Sequence, residues 1–241
     1  MIAVLVVAMF AVVQSLFGIG LLMFGTPTLL LLGYPFSQTL AILLPASIVV
    51  SLLQVSDMPR RFDGLLPRLA GWCLIPIALT LASVLAWDRH VSLNLPVAVL
   101  LMLFVVVRLF PRLRAVASQW VSGHERLWLV FMGIAHGLSN LGGGLLMIFA
   151  GSRYRHKEDI RALVAHCYVC IMAVQLLVLA VFTPAVFGAS QLGYMAVAAL
   201  VFLVVGRRVF RWVSAPAFDW LLTLFAASYA GLLGLRAAGL I

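Results

Sequence analysis

The sequence predicts an all-α, polytopic integral membrane protein built from two inverted repeats. Three observations carry that prediction: the composition, the placement of the basic residues, and two glycine-rich breaks about 122 residues apart. Of the 241 residues, 65% are hydrophobic and 10% are charged. A soluble domain is roughly 25% charged. A membrane crossing needs roughly 20 apolar residues. Apolar stretches run over about 1–33, 36–56, 65–87, 92–110, 127–150, 160–183, 188–206 and 216–235. The connections between them are too short for a soluble domain, so residues 1–241 are read as a single membrane domain. The formal net charge of +9 would point to nucleic acid in a soluble protein. Here it is loop charge facing anionic lipid, and nucleic acid is not an expected partner. The first segment lacks a basic leader and is read as part of the mature chain.

The basic residues decide the threading. Fourteen of sixteen Lys and Arg fall in four clusters: Arg60, Arg61 and Arg68; Arg108, Arg112, Arg114 and Arg126; Arg153, Arg155, Lys157 and Arg161; and Arg207, Arg208 and Arg211. Arg89 and Arg236 stand apart. Short loops rich in Lys and Arg mark the cytoplasmic side. If all eight segments cross, the two sides share the charges eight to eight. If 127–150 instead enters and returns on one side, the split is fourteen to two. The charge rule therefore predicts a re-entrant segment, with six crossings and both termini outside. The run Ser139-Asn140-Leu141-Gly142-Gly143-Gly144 is where it would turn, because glycines free the backbone and break a helix ladder. Unpaired backbone groups at membrane depth must line a cavity or be buried in protein.

The first segment breaks in the same way at Phe17-Gly18-Ile19-Gly20, with Gly25 and Pro27 following. At 33 residues it is long enough for a short helical hairpin. A shift of about 122 aligns Gln14 with His136 and Gly20 with Gly142. One residue of slippage then aligns Pro45 with His166 and Gln54 with Gln175. Repeat one spans about 1–121 and repeat two about 122–241. Each is a broken helix or re-entrant hairpin followed by three transmembrane helices. Three crossings per repeat is an odd number, so the repeats are inverted and the hairpin tips meet near mid-membrane. Inverted repeats with broken helices at the midplane are a common plan for secondary transporters. Each break creates a helix N-terminus, which favours anions.

The polar residues inside apolar segments are few. His136, Ser139 and Asn140 precede the second break and are candidate substrate contacts, since membrane-embedded polar groups face the interior. Packing between helices is the competing role. His166 is read as a satisfied core histidine or as a proton carrier or second anion contact. Gln14, Gln54 and Gln175 are further candidates, the last two because the repeat pairs them. The N–H groups around Gly18, Gly20, Gly142, Gly143 and Gly144 are expected to hold an anion between the tips. Asp57, Asp63, Asp88, Glu125, Glu158, Asp159 and Asp219 lie at segment ends or in loops. A cation carrier would place a carboxylate inside, so an anionic or neutral substrate is favoured. Cys167 and Cys170 form a C-x-x-C with only Cys73 elsewhere, which is read as packing rather than metal or redox chemistry. Trp87, Trp120, Trp128, Tyr154 and Trp212 are read as interfacial anchors.

The paired breaks carry a resemblance to a known family. Gly18-Ile19-Gly20-Leu21-Leu22-Met23-Phe24-Gly25-Thr26-Pro27 and Asn140-Leu141-Gly142-Gly143-Gly144-Leu145-Leu146-Met147-Ile148-Phe149 each resemble a G-x-G-G-G-x-x-x-x-P-like element. That element opens each half in the sulfite exporter TauE/SafE family of bacterial membrane proteins. Leu21 and Leu22 stand in place of two glycines, and Asn140 and Phe149 in place of Gly and Pro. The resemblance implies transport of small sulfur-containing anions, such as sulfite, sulfoacetate or other organosulfonates, across the bacterial inner membrane. It implies neither a nucleotide nor a metal cofactor. A coupled proton and a homo-oligomer are both compatible with it. Two other readings stand beside it. Gly137-Leu138-Ser139-Asn140 resembles the G-x-S-G serine of rhomboid-type intramembrane proteases, with His166 as a base for an intramembrane Ser–His hydrolase. The chain could also serve as a non-transporting subunit of a membrane complex.

Overall fold

The structure is a computed structural model that describes residues 1–241 except 61, 63, 88–93 and 238–241. Arg61, Asp63, Asp88 and Arg89 thus lie outside the described residues. The described chain is helical throughout. In order, the helices are α1 (Ile2–Phe17), α2 (Leu21–Leu31), α3 (Phe36–Asp57), α4 (Leu65–Ala86), α5 (Asn94–Leu109), α6 (Pro111–Gly123), α7 (Glu125–Ser139), α8 (Gly143–Arg153), α9 (Lys157–Phe182), α10 (Ser190–Trp212) and α11 (Ala215–Ala237). Four of them, α3, α4, α9 and α10, are long and apolar enough to cross a membrane. Of the other two expected crossings, α5 is described over 16 residues and packs along α11.

Both long segments turn back on themselves. Phe10 of α1 stacks on Phe24 of α2 with ring centroids 6.1 Å apart. In one continuous helix, residues fourteen apart would be separated by about 21 Å. In the second segment the indole Nε1 of Trp128 donates to the Leu145 carbonyl at 3.3 Å, joining α7 to α8. The far ends of these two helices meet as well, since Arg153 pairs with Glu125 at 2.6 Å. Residues 125–153 therefore form a hairpin whose two ends lie together. Trp128 is 7% exposed and pins the hairpin limbs, so it is not the interfacial anchor its position suggests.

The turns use left-handed residues. Gly18 ends α1 at φ 80°, its N–H bonded to the Gln14 carbonyl at 2.7 Å. Asn140 ends α7 at φ 61°, its N–H bonded to the His136 carbonyl at 2.7 Å. Glycine and asparagine are the residues that adopt this conformation at helix ends with least strain. In the second hairpin the sequence places the break at the glycine triplet, and the structure moves it to Asn140. Among the described residues, Asn140 is the only non-glycine residue with positive φ. Gly142–Gly144 are right-handed, and they serve close packing instead. A Cβ on Gly143 would strike the Tyr168 hydroxyl and Ile19, and one on Gly144 would lie 2.8 Å from the Phe104 ring.

The four basic clusters gather at one end of the bundle. Glu125 accepts from Arg68 at 3.1 Å and from Arg153. Arg60 pairs with Asp159 at 3.1 Å, and Arg207 pairs with Asp57. Lys157 donates to the Phe210 and Val213 carbonyls at 3.2 and 2.7 Å. The re-entrant second segment makes this clustering geometrically necessary, as the charge split requires. From Asp57 at this end, α3 runs back 22 residues, about 33 Å, to Phe36 and the base of the first hairpin. The two hairpins therefore enter from opposite ends. One element goes unforeseen in the sequence: α6, started by Pro111 at its first turn and carrying Arg112 and Arg114.

Candidate functional site

Apolar side chains both fill the core and cover the outer face, while the polar side chains within the membrane helices turn inward. Leu5, Leu79, Leu177, Val181, Leu192 and Leu200 are exposed, while Gln14, Gln54, His136, Asn140 and Gln175 are buried. Buried polar groups are costly unless hydrogen-bonded, and these are organised into two networks, one per hairpin.

Gln14 organises the first. Its Nε2 donates to the Ser47 carbonyl at 2.9 Å and to Ser51 Oγ at 3.1 Å. Its Oε1 accepts from Ser47 Oγ at 2.8 Å and from the Leu21 N–H at 3.2 Å. Gln14 thus occupies an N–H at the start of α2 that the sequence left open for an anion. Gln54 Nε2 donates to the Gln14 carbonyl at 2.8 Å, and its Oε1 is buried without a partner. At Gly20 a Cβ would collide with the backbone of Val13 and Gln14, so glycine permits the limbs to touch.

The second network is a chain of side chains. His136 Nε2 lies 3.2 Å from Gln175 Oε1; Gln175 Nε2 donates to Asn140 Oδ1 at 3.1 Å; Asn140 Nδ2 donates to Thr26 Oγ1 at 2.9 Å. Thr26 belongs to the first hairpin, so the chain joins the two. Gln175 Oε1 can only accept, which puts a hydrogen on His136 Nε2. In the neutral ring, Nδ1 is then a bare lone pair, and it is buried without a partner. Gln54 reaches the Gln14 backbone carbonyl in the first network, and Gln175 meets the His136 ring in the second.

The hairpin tips touch where Ile19 packs on Gly143. Two unpartnered polar atoms face the first turn of α8 at this place. One is His136 Nδ1, which crowds Gly142; the other is the Tyr168 hydroxyl, which crowds Gly143. Their residues are 1% and 0% exposed, and their rings meet edge to face at 6.1 Å. The first amides of a helix lack partners within it; here the Gly144 N–H turns back to the Leu141 carbonyl at 3.4 Å. A phenol donor, a helix N-terminus and an unpartnered imidazole nitrogen lie together here, and a helix N-terminus favours negative charge.

Tyr168, Thr26 and Arg161 are not among the residues picked from sequence. Tyr168 had a legible signal. Arg161, Tyr168 and Gln175 are seven residues apart on α9, so they share a face within about 20° per step. Arg161 reads as loop charge but is 4% exposed, its Nη1 donating to the Ser15 carbonyl at 2.8 Å.

Not every sequence candidate joins the tips. Ser139 Oγ donates to the Ala135 carbonyl at 2.6 Å and accepts from the Leu141 N–H at 3.2 Å, closing the turn. His166 sits elsewhere, half-buried beside Phe62, with Nδ1 on the Ala162 carbonyl at 2.7 Å. The Ser139–His166 hydrogen bond that a hydrolase would need is not formed. Cys73 and Cys167 are buried free thiols and Cys170 is half-buried.

No curated protein and no solved structure matches the chain. The family model described as "Sulfite exporter TauE/SafE" matches residues 2–233, both hairpins and the helices after them. A multi-pass helical membrane protein with a glycine-lined break opening each half, the chain belongs to the sulfite exporter TauE/SafE family.

Proposed function

We propose that this chain is a secondary transporter of small sulfur-containing oxyanions, sulfite or an organosulfonate, across the bacterial inner membrane. Residues 1–241 form one membrane domain, and halves 1–121 and 122–241 are related by inversion. Entry of the two hairpins from opposite ends supports the inversion. The carrying observation is the contact of the hairpin tips, where Ile19 meets Gly143 and the Tyr168 hydroxyl and His136 Nδ1 are left without partners.

In this reading the anion sits at the start of α8, against the amides of Gly142–Gly144 and the Tyr168 O–H. Asn140 and Gln175 hold His136 in place, and Gly18, Gly20 and Gln14 shape the opposing tip. Helix ends contribute roughly 0.3–1 kcal/mol each, up to ~2 when partly buried. Such a site binds weakly and releases readily, as a carrier must. His136 supplies a proton route. Its neutral form aims a lone pair at the anion, whereas the imidazolium offers Nδ1–H. His166 lies off this path and is left a packing role.

Purified protein in liposomes tests the function. Saturable movement of radiolabelled sulfite or sulfoacetate by the protein alone is the expected result. Passage of none of these anions, at verified insertion, overturns the reading and leaves the chain a non-transporting membrane subunit.

A further inference from the structure

Arg161 stands four residues into α9, and it is buried. Buried charges are ordinarily paired with an opposite charge, because an unpaired one bears the full cost of desolvation. Among the described residues, no carboxylate hydrogen-bonds to Arg161; the charges of Asp57 and Glu158 reach it only through space. Nη1 donates to the Ser15 carbonyl at 2.8 Å, and Nη2 reaches Met58 Sδ at 3.5 Å. The guanidinium lies 3.5 Å over the Phe210 ring. Nε is buried with no partner. A thioether sulfur is a weak acceptor. One whole edge of the guanidinium, Nε with Nη2, therefore faces nothing stronger than that sulfur. The opposite side is held in place by Ser15 and Phe210.

The edge is oriented, with the Met58 sulfur as its protein contact. Two parallel N–H donors on a planar fork match two oxygens of an oxyanion, a geometry that an ammonium cannot reproduce. Its place is also informative. Ser15 lies in the last turn of α1, just before the first break, and Gly18 packs against Val164 one turn further along α9. Met58 follows Asp57, which pairs with Arg207 at the basic end. Arg161 is thus between the basic end and the hairpin tips. Met58 is half-buried and unbranched, so it can swing aside at low cost.

We infer that Arg161 is a second anion-binding residue, which takes a small oxyanion on its Nε/Nη2 edge in place of the Met58 sulfur, on the way between the basic end and the hairpin tips. The inference rests on the transport reading. The substrate class is a sulfite-like or sulfonate group with two oxygens free to chelate the fork.

The test is transport of radiolabelled sulfite and sulfoacetate in proteoliposomes by wild type, Arg161→Lys and Arg161→Gln. Lysine keeps the charge and a donor for Ser15 but loses the fork, so a merely structural arginine would tolerate it. The expected result is a half-saturation concentration raised about tenfold or more in both variants, at matched insertion. Where Arg161→Gln fails to insert, Arg161→Lys decides. An Arg161→Lys protein with wild-type half-saturation overturns this inference alone. A wild type that moves neither anion removes the transport reading and this inference together.

Discussion

Asn140 donates to Thr26 across 114 residues of sequence, at 2.9 Å, and so ties the tip of one hairpin to the other. The same side chain accepts from Gln175 at 3.1 Å and holds the left-handed turn at φ 61°. Three tasks rest on one residue, and substitutions separate them. Asn140→Gly keeps the turn and strands the Gln175 amide, at a cost of about 1–3 kcal/mol. Asn140→Leu adds left-handed strain of about 1–2 kcal/mol to the same loss. Thermal unfolding in detergent should rank wild type above Asn140→Gly above Asn140→Leu. Both variants should transport poorly. An Asn140→Leu protein as stable as wild type would show that the tips do not meet through this bond.

Gly143 and Tyr168 make a second pair to separate. A Cβ on Gly143 collides with the Tyr168 hydroxyl and presses Ile19, so Gly143→Val should abolish transport. The hydroxyl has no partner, so Tyr168→Phe should unfold at the wild-type temperature or above. It should still bind sulfite less well, by about 0.5–1.5 kcal/mol for one lost hydrogen bond. Because the phenol is half of the Gly143 clash, Gly143→Ala should be less damaging with Tyr168→Phe than without it. Additive losses in that double-mutant cycle would show that the phenol is not what a Gly143 side chain meets, and wild-type sulfite affinity in Tyr168→Phe would place the anion elsewhere.

Most of the fold was legible because membrane constraints are few and strong. Fourteen clustered cations favour a re-entrant second segment, and Glu125 beside Arg153 shows that hairpin. The site was legible in part. Gln14, His136, Asn140 and Gln175 are polar in apolar surroundings and announce themselves. Tyr168 signals itself only through its seven-residue spacing from Gln175, because a tyrosine in a membrane helix otherwise reads as apolar bulk until its hydroxyl is seen unpaired. Arg161 was hidden by its neighbours: beside Arg153, Arg155 and Lys157 it counts as loop charge, and only the packing of α1 and Phe210 over it removes it from solvent. The role of the glycine triplet was misplaced for a related reason. Sequence shows that side chains are absent, and it cannot show whether the gain is torsional freedom or close approach.

The hairpin threading makes a topological prediction. Ser152 lies one residue before Arg153 at the basic end, which the charge rule places in the cytoplasm. A single cysteine at Ser152, in a protein whose native cysteines are replaced, should resist an impermeant thiol reagent in intact cells. It should react once the membrane is opened. Labelling from outside would reverse the assignment of the basic end.

The last prediction concerns protons. His136 must carry hydrogen on Nε2 to meet Gln175 Oε1. A neutral ring then turns the Nδ1 lone pair toward an arriving anion, which is repulsive. An imidazolium turns an N–H toward it and adds an opposite charge. Binding of the anion and of the proton should therefore reinforce each other, and by linkage each must strengthen the other equally. The sign follows: sulfite or sulfonate binding strengthens as pH falls through the titration of His136, and weakens as pH rises. Sulfoacetate suits the measurement above about pH 6, where its sulfonate and its carboxylate both stay ionised. His136→Asn keeps a polar side chain that cannot titrate, so its sulfoacetate binding should be weaker at low pH and flat with pH. In proteoliposomes, an inward proton gradient should drive accumulation by wild type and not by His136→Asn. A His136→Asn protein that keeps the wild-type pH profile would move the proton to another group and leave His136 a positioning role.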